Sequence, residues 1–378
     1  MDNSVGLSAG GVSFEVMDLT ATTTALASAA ADVVRLVPTR LTDPVLGGLL
    51  LTAGPEGVSF AANDRERTAR VTRDALVHTD GEVLVPAKPL AETLRALDTD
   101  HVRLVVEGSR LAIRADGARF ALPLLDTALH PGVPAPPPPC GTVAGALLAR
   151  ALSTVAATAS RDDTLPVFAG VRLRAEDDAL VLRATDRYRM AIAHVPATVA
   201  DLDVLVPAQL LAEVAKQATG DVTLAVDANR FALSWANTTV TTAVLDGVFL
   251  SESSLVLNTM DTWVELDADS LLNAARRVSL YTDARGVLQL EVADHELRLR
   301  GTDPQAGEAE ESIKATVEGG RTGPAVQSRY LTDALRPFAG KRIRLAIQPG
   351  MRATVITSTD PEDVPLKYLM MPLLPPRQ

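Results

Sequence analysis

The sequence is short of the residues from which most enzyme sites are built. It has one cysteine, five histidines and an aromatic content of only 3%. The lone Cys140 cannot close an internal disulfide, which fits a reducing compartment and predicts a cytoplasmic protein. His78, His101, His130, His194 and His295 are not spaced as metal ligands, and one cysteine makes no zinc site. No GxxxxGK[ST] and no strand-linked GxGxxG is present to cradle a nucleotide. No G-x-S-x-G elbow is present for a hydrolase. No apolar run approaches a membrane span. The start, "MDNSVGLSAGGVSFEV", lacks the basic beginning and apolar core of a signal peptide. Basic residues are in the minority, 36 against 47 acidic, for a net charge of −11. That excludes a surface coated in basic patches and leaves room for local ones.

What is present is a long, Val-, Leu- and Ala-rich chain. Its 378 residues call for two or three domains, and 47% hydrophobic with 22% charged residues is ordinary for folded chains. The chain repeats itself. "DPVLGGLLLTAGPEGVSFAANDRERTARV" (43–71), "LPVFAGVRLRAEDDALVLRATDRYRMAIAHV" (165–195) and "DARGVLQLEVADHELRLRGTDPQAGEAEESI" (283–313) share one pattern. Each has a Gly, an alternating run, a turn, a second alternating run and an Asp. Gly48 precedes Asp64 by 16 residues, Gly170 precedes Asp186 by 16, and Gly286 precedes Asp303 by 17. A helix-like segment precedes each block. Each block is followed by a strand end leading into a second helix, "VLVPAKPLAETLRAL", "VLVPAQLLAEVAKQA" and "PAVQSRYLTDALRPF". Hairpins with "EGSR", "DANR" and "QPGM" turns close the units.

The chain is therefore three tandem α+β repeats with antiparallel sheets and two helices each, spaced by about 120 residues. We expect an N-terminal extension over 1–11 and a first domain over 12–130. A Pro-rich linker over 131–141 leads to a second domain over 142–254, and a short linker over 255–261 leads to a third domain over 262–378. The repetition bears on "ATDRYRM" (184–190), where charges interrupt two apolar runs. A catalytic constellation need not occur three times, whereas a turn that closes a strand pair would. Asp64, Asp186 and Asp303 are thus expected to cap turns by accepting backbone N–H groups. The alternative is that they bind a divalent ion as enzyme carboxylates. Acidic pairs such as Asp162–Asp163 and Glu310–Glu311 read first as solvated turns. Binding is favoured over catalysis.

Taken together, the three repeats, "PVLGGLLL", "SRDDTLPVFAGVRL", "ATDRYRMA", "VPAQLLAEVA", "DPQAGEAEES" and the terminal "YLMMPLL" resemble the bacterial DNA polymerase III beta subunit, the sliding clamp, in an actinobacterial form. The likeness covers about residues 12–375. It implies a head-to-tail homodimer forming a ring of six similar domains, with sheets outside and helices lining a hole around duplex DNA. It implies a processivity factor with no catalytic step, no cofactor and no metal. The implied partners are duplex DNA, the polymerase III catalytic subunit, an ATP-driven clamp loader and other proteins carrying the clamp-binding peptide. The place of work would be cytoplasmic and nucleoid-associated, with no membrane.

Residue by residue, the resemblance gives a peptide pocket of Phe168, Thr185, Arg187, Arg189, Met190, Leu250, Ser254, Leu255, Val355, Leu369, Met370, Met371, Pro372 and Leu373. The tail methionines and leucines are expected to be exposed, an adaptable peptide surface. Arg40, Lys88, Arg161 and Arg285 would face DNA, or else are plain surface charge. Arg110, Arg114, Arg119, Leu280, Glu308, Glu310 and Glu311 would meet across the subunit joint, the arginines pairing with the glutamates. The other reading makes these charges guards of separate exposed edges. One departure from the family stands out in "LDGVFLSESSLVLNT" (245–259). Leu250 takes the place of an expected Pro, and Glu252, Ser253 and Ser254 replace aromatic and basic residues. That suggests a specialised copy with an altered pocket rim, for instance one that escapes an inhibitor.

Overall fold

The computed structural model describes residues 16–37, 43–161, 164–250, 257, 259–361 and 364–373. The chain divides into two compact units, one of residues 1–136 with 232–242 and one of residues 137–231 with 243–378. Among the described residues no helix is long and apolar enough to cross a membrane.

The first unit holds two antiparallel sheets. One runs Leu76–Thr79, Asp18–Thr22, His101–Glu107, Arg110–Ala115 and Ala118–Pro123. The other runs Gly81–Pro86, Gly48–Gly54, Gly57–Asn63 and Arg67–Arg73, and Thr238–Ala243 pairs beyond the last of these. Helix Thr23–Leu36 buries Leu26, Ala29, Ala30, Val33 and Leu36, an i, i+3, i+4 stripe. It packs against helix Ala87–Ala96 and the second sheet.

The second unit carries the other two repeats. Antiparallel strands run without a break from Asp203–Pro207 through Gly170–Glu176, Ala179–Thr185 and Arg189–Val199 of the second repeat. They continue into Leu366–Met370, Thr354–Ser358, Arg342–Ile347 and Thr262–Asp267 of the third. The third repeat also has a four-stranded sheet, Gly307–Lys314, Glu296–Asp303, Val287–Val292 and Ala325–Gln327. Helix Ala268–Val278 is capped by Asp267, whose side chain accepts from Ser270 N, and Arg276 and Arg277 sit in its last turn. That Ser270 contact holds the Asp267 carboxyl below its ordinary pKa.

The repeat signature has a packing cause. A Cβ on Gly48 would lie 2.7 Å from Leu84 Cδ1, and one on Gly170 would lie 2.8 Å from Leu205 Cδ1. Both leucines come from the equivalent "VLVP" strands, so a side chain at either glycine would force the leucine to shift. One element was not legible in the sequence. The pattern reading begins its strand at Gly170 and assigns nothing to the residues before it, but Pro166–Ala169 is a short helix with Pro at its first position.

Candidate peptide-binding and nucleic-acid-facing sites

The turn within "ATDRYRM" links strands Ala179–Thr185 and Arg189–Val199. Asp186 Oδ1 accepts from Tyr188 N and Arg189 N, both at 3.1 Å. Arg187 takes the left-handed region at φ +83°. The first repeat builds the same turn: Asp64 Oδ1 accepts from Glu66 N and Arg67 N, and Arg65 stands at φ +78°. In the third repeat Asp303 Oδ1 accepts from Gln305 N and Ala306 N. There Pro304 fixes a negative φ, and the left-handed residue becomes Gly307 at φ +98°. All three aspartates are turn caps. Among the described residues no group of three His, Cys, Asp or Glu is placed to hold a metal ion.

Around the second turn the chain builds more. Arg187 lies over the Phe168 ring, 4.4 Å from its centroid. Arg189 runs the other way and is buried, its side chain 6% exposed. Its Nε donates to Asp186 Oδ2 at 2.8 Å, and its Nη1 donates to Asp333 Oδ2 at 2.9 Å and to Tyr368 Oη at 3.2 Å. It also lies 4.7 Å over the Tyr330 ring. Burial opposes its charge, but the Tyr368 oxygen, Asp186 and Asp333 outweigh it and push the guanidinium pKa up. Burial raises the Tyr368 phenol.

On the opposite face of this sheet lies an apolar cluster of Val181, Met190, Ile192, Leu205, Phe249, Ala353, Val355 and Leu369. Strand alternation decides which tail residues join it. Leu369 stands opposite Met190 and Val355, whereas Met370 stands opposite Arg189 and Thr354. Met370 is therefore on the other face and 1% exposed, and Leu369 and Pro372 are buried as well. This corrects the expectation of an exposed methionine–leucine tail. Met371 is the exposed methionine, at 38%, and Leu250 is exposed at 46%. Thr185 is buried, its hydroxyl donating to Arg189 O at 2.8 Å. Leu373 is half-buried and donates its N–H to Ala325 O. Ser254 and Leu255, with Glu252 and Ser253, lie outside the described residues.

Lys88 and Arg285 are exposed and paired within their own helix or turn, to Glu92 and Asp283. Arg40 lies outside the described residues. Arg161 lines a groove of about 910 Å³ in the second unit, together with Arg276, Arg329 and Arg336. The sequence reading missed these last three. Their signal was a set of arginines on helix ends of the third repeat, "NAARRV", "SRYL" and "LRPF".

Four of the six charges assigned to a subunit joint have an ion pair within the chain. Arg114 and Arg119 both pair with Glu107, and this holds the Glu107 carboxyl below its usual range. Glu310 pairs with Arg300, and Glu311 with Arg277. Pairs this exposed exchange readily. Leu280 is 74% exposed and Phe120 42%.

Three family models cover the chain: DNA polymerase III beta subunit, N-terminal domain at residues 17–134, central domain at 142–250 and C-terminal domain at 255–374. The beta sliding clamp of Streptomyces coelicolor is 31% identical over 92% of this chain and 96% of its own length. The beta sliding clamp homolog GriR of Streptomyces muensis is 29% identical over 90% and 95%. The crystal structure of a DnaN sliding clamp from Pseudomonas aeruginosa bound to griselimycin superposes with a TM-score of 0.88 at 23% identity, covering 95% of this chain and all of that one. With all three of its repeats matched in order, the chain belongs to the DNA polymerase III beta subunit family, the bacterial sliding clamps.

Proposed function

We propose that this sliding clamp closes its ring with a second copy of itself and docks partner peptides beside the Asp186 turn. One observation carries the closure. The strand after the Asp turn finds a partner from the next repeat twice. Arg67–Arg73 pairs with Thr238–Ala243, and Arg189–Val199 pairs with Leu366–Met370. The remaining equivalents, Gly307–Lys314 and Ala118–Pro123, each end a sheet. An open edge is a template for pairing, and a head-to-tail second copy offers each edge its missing partner. Closure rests on backbone pairing, on Phe120 and Leu280, and on arginines and glutamates that trade their exposed pairs within the chain for pairs across the joint.

The role is non-catalytic. The ring holds duplex DNA through scattered phosphate contacts by Arg161, Arg276, Arg329, Arg336, Lys88 and Arg285, without reading bases. A loader opens it, and the polymerase III catalytic subunit is held by a short peptide. The apolar site for that peptide is the rim of Met371, Leu250 and the Arg187–Phe168 stack over the floor of Met190, Val355 and Leu369. Loading onto circular duplex followed by linearisation tests the ring. The protein should stay bound to the circle through a salt wash and be released when the circle is cut. Equal retention on both forms contradicts encirclement.

A specialised rim is favoured by Leu250 and by Val248, which is 95% exposed. Leu250→Pro should change affinity for griselimycin while leaving the oligomeric state alone. Unchanged affinity would mark the rim as neutral drift.

A further inference from the structure

Asp333 has one carboxylate oxygen on each of two arginines. Oδ2 accepts from the buried Arg189 at 2.9 Å, and Oδ1 pairs with Arg336 at 3.2 Å. Arg189 is the residue that grips Asp186 and so fixes the turn presenting Arg187 to Phe168. Arg336 is exposed over 65% of its side chain and lines the groove with Arg161, Arg276 and Arg329. The two pairs differ in strength. An exposed pair such as Asp333–Arg336 is worth little and is readily exchanged. The Arg189 pair is held in a buried, hydrogen-bonded setting and is not.

We propose that Asp333 is a positioning residue that couples occupancy of the groove to the peptide-binding turn. This rests on reading the groove as duplex-facing and the turn as peptide-binding. A phosphate in the groove competes with Asp333 for Arg336. Once released, the Asp333 carboxylate serves Arg189 alone, and the turn tightens in the conformation that stacks Arg187 on Phe168. Groove binding then raises peptide affinity. By linkage, peptide raises affinity for the phosphate backbone by the same factor.

The test is fluorescence anisotropy of a labelled polymerase-tail peptide on the full chain, with and without short linear duplex at low salt. Duplex should tighten peptide binding by about fivefold. Arg336→Ala should reach the tightened affinity without duplex and gain nothing on its addition. Asp333→Asn should bind peptide more weakly and lose the duplex response, which a purely structural role would leave intact. If Arg336→Ala binds peptide as the parent does, or if duplex acts equally on parent and Asp333→Asn, the coupling is wrong and the peptide site stands. If the parent binds no peptide at all, the site reading falls and the coupling falls with it.

Discussion

The turns at Asp64 and Asp186 are the same object built twice. Each has the cap to two backbone N–H groups, and each has a left-handed arginine in the next position. One is a turn and the other is the centre of a site. The difference comes from what lies behind them. In the second repeat, Asp333 and Tyr368 of the third reach Arg189, and Phe168 from the Pro166–Ala169 helix lies under Arg187. The first repeat covers its own floor: Leu50, Ala61 and Leu84 are packed over by Val45, Leu125 and Val133, the last two from the chain leading out of the domain. A repeated motif becomes functional where the neighbouring repeat supplies a backing that the motif does not contain.

The largest test of that contrast is stability. Arg189→Ala strands Asp186 and Asp333 beside a buried gap. Breaking a buried ion pair from one side costs roughly 3–5 kcal/mol. Arg67→Ala, at the equivalent place in the first repeat, should cost under about 1 kcal/mol. Urea unfolding of the two variants reads the difference directly. Equal midpoints would mean that the Asp333–Tyr368 backing contributes nothing.

How much of this was legible follows from the same contrast. The repeat order, the six longer helices among the described residues and the capping role of the aspartates were written in local pattern, because spacing and turn chemistry act within a few residues. The facing of Met370 against Met371 was not, because "YLMMPLL" gives no sign of where strand Leu366–Met370 stops alternating. Nor were Asp333 and the groove arginines, which matter only through contacts far along the chain, 144 residues apart for Arg189 and Asp333. The engagement of Glu107 with both Arg114 and Arg119 was likewise invisible, since it depends on register across a three-stranded meander.

The tail methionines sharpen the comparison at a somewhat smaller scale. Met370→Ala empties a buried site and should cost about 2–5 kcal/mol of stability, with little change in peptide affinity of the folded protein. Met371→Ala should do the reverse. A side chain buried only when peptide binds is worth up to about 1.5–3 kcal/mol, or roughly ten- to a hundredfold in affinity. Calorimetric titration with a polymerase-tail peptide separates the two. A greater affinity loss in Met370→Ala would reverse the facing assigned to this strand.

The smallest effects fall on the left-handed arginines. A non-glycine residue at positive φ carries backbone strain of about 1 kcal/mol or more, which glycine relieves. Arg65→Gly should therefore raise the unfolding midpoint slightly, or leave it unchanged once glycine's extra chain entropy is counted, and Arg187→Gly should fall below it because it also loses the Phe168 stack. Peptide binding distinguishes them. Arg187→Gly removes the cation stacked on Phe168, an interaction worth about 0.5–1 kcal/mol at an exposed site, so affinity should drop by about two- to fivefold. Arg65→Gly has no Phe168 equivalent to lose and should bind peptide as the parent does. Thermal melts paired with anisotropy on the two variants give all four numbers. If both bind peptide unchanged, Arg187 is a turn residue like Arg65, and the second repeat owes its site to the apolar floor alone.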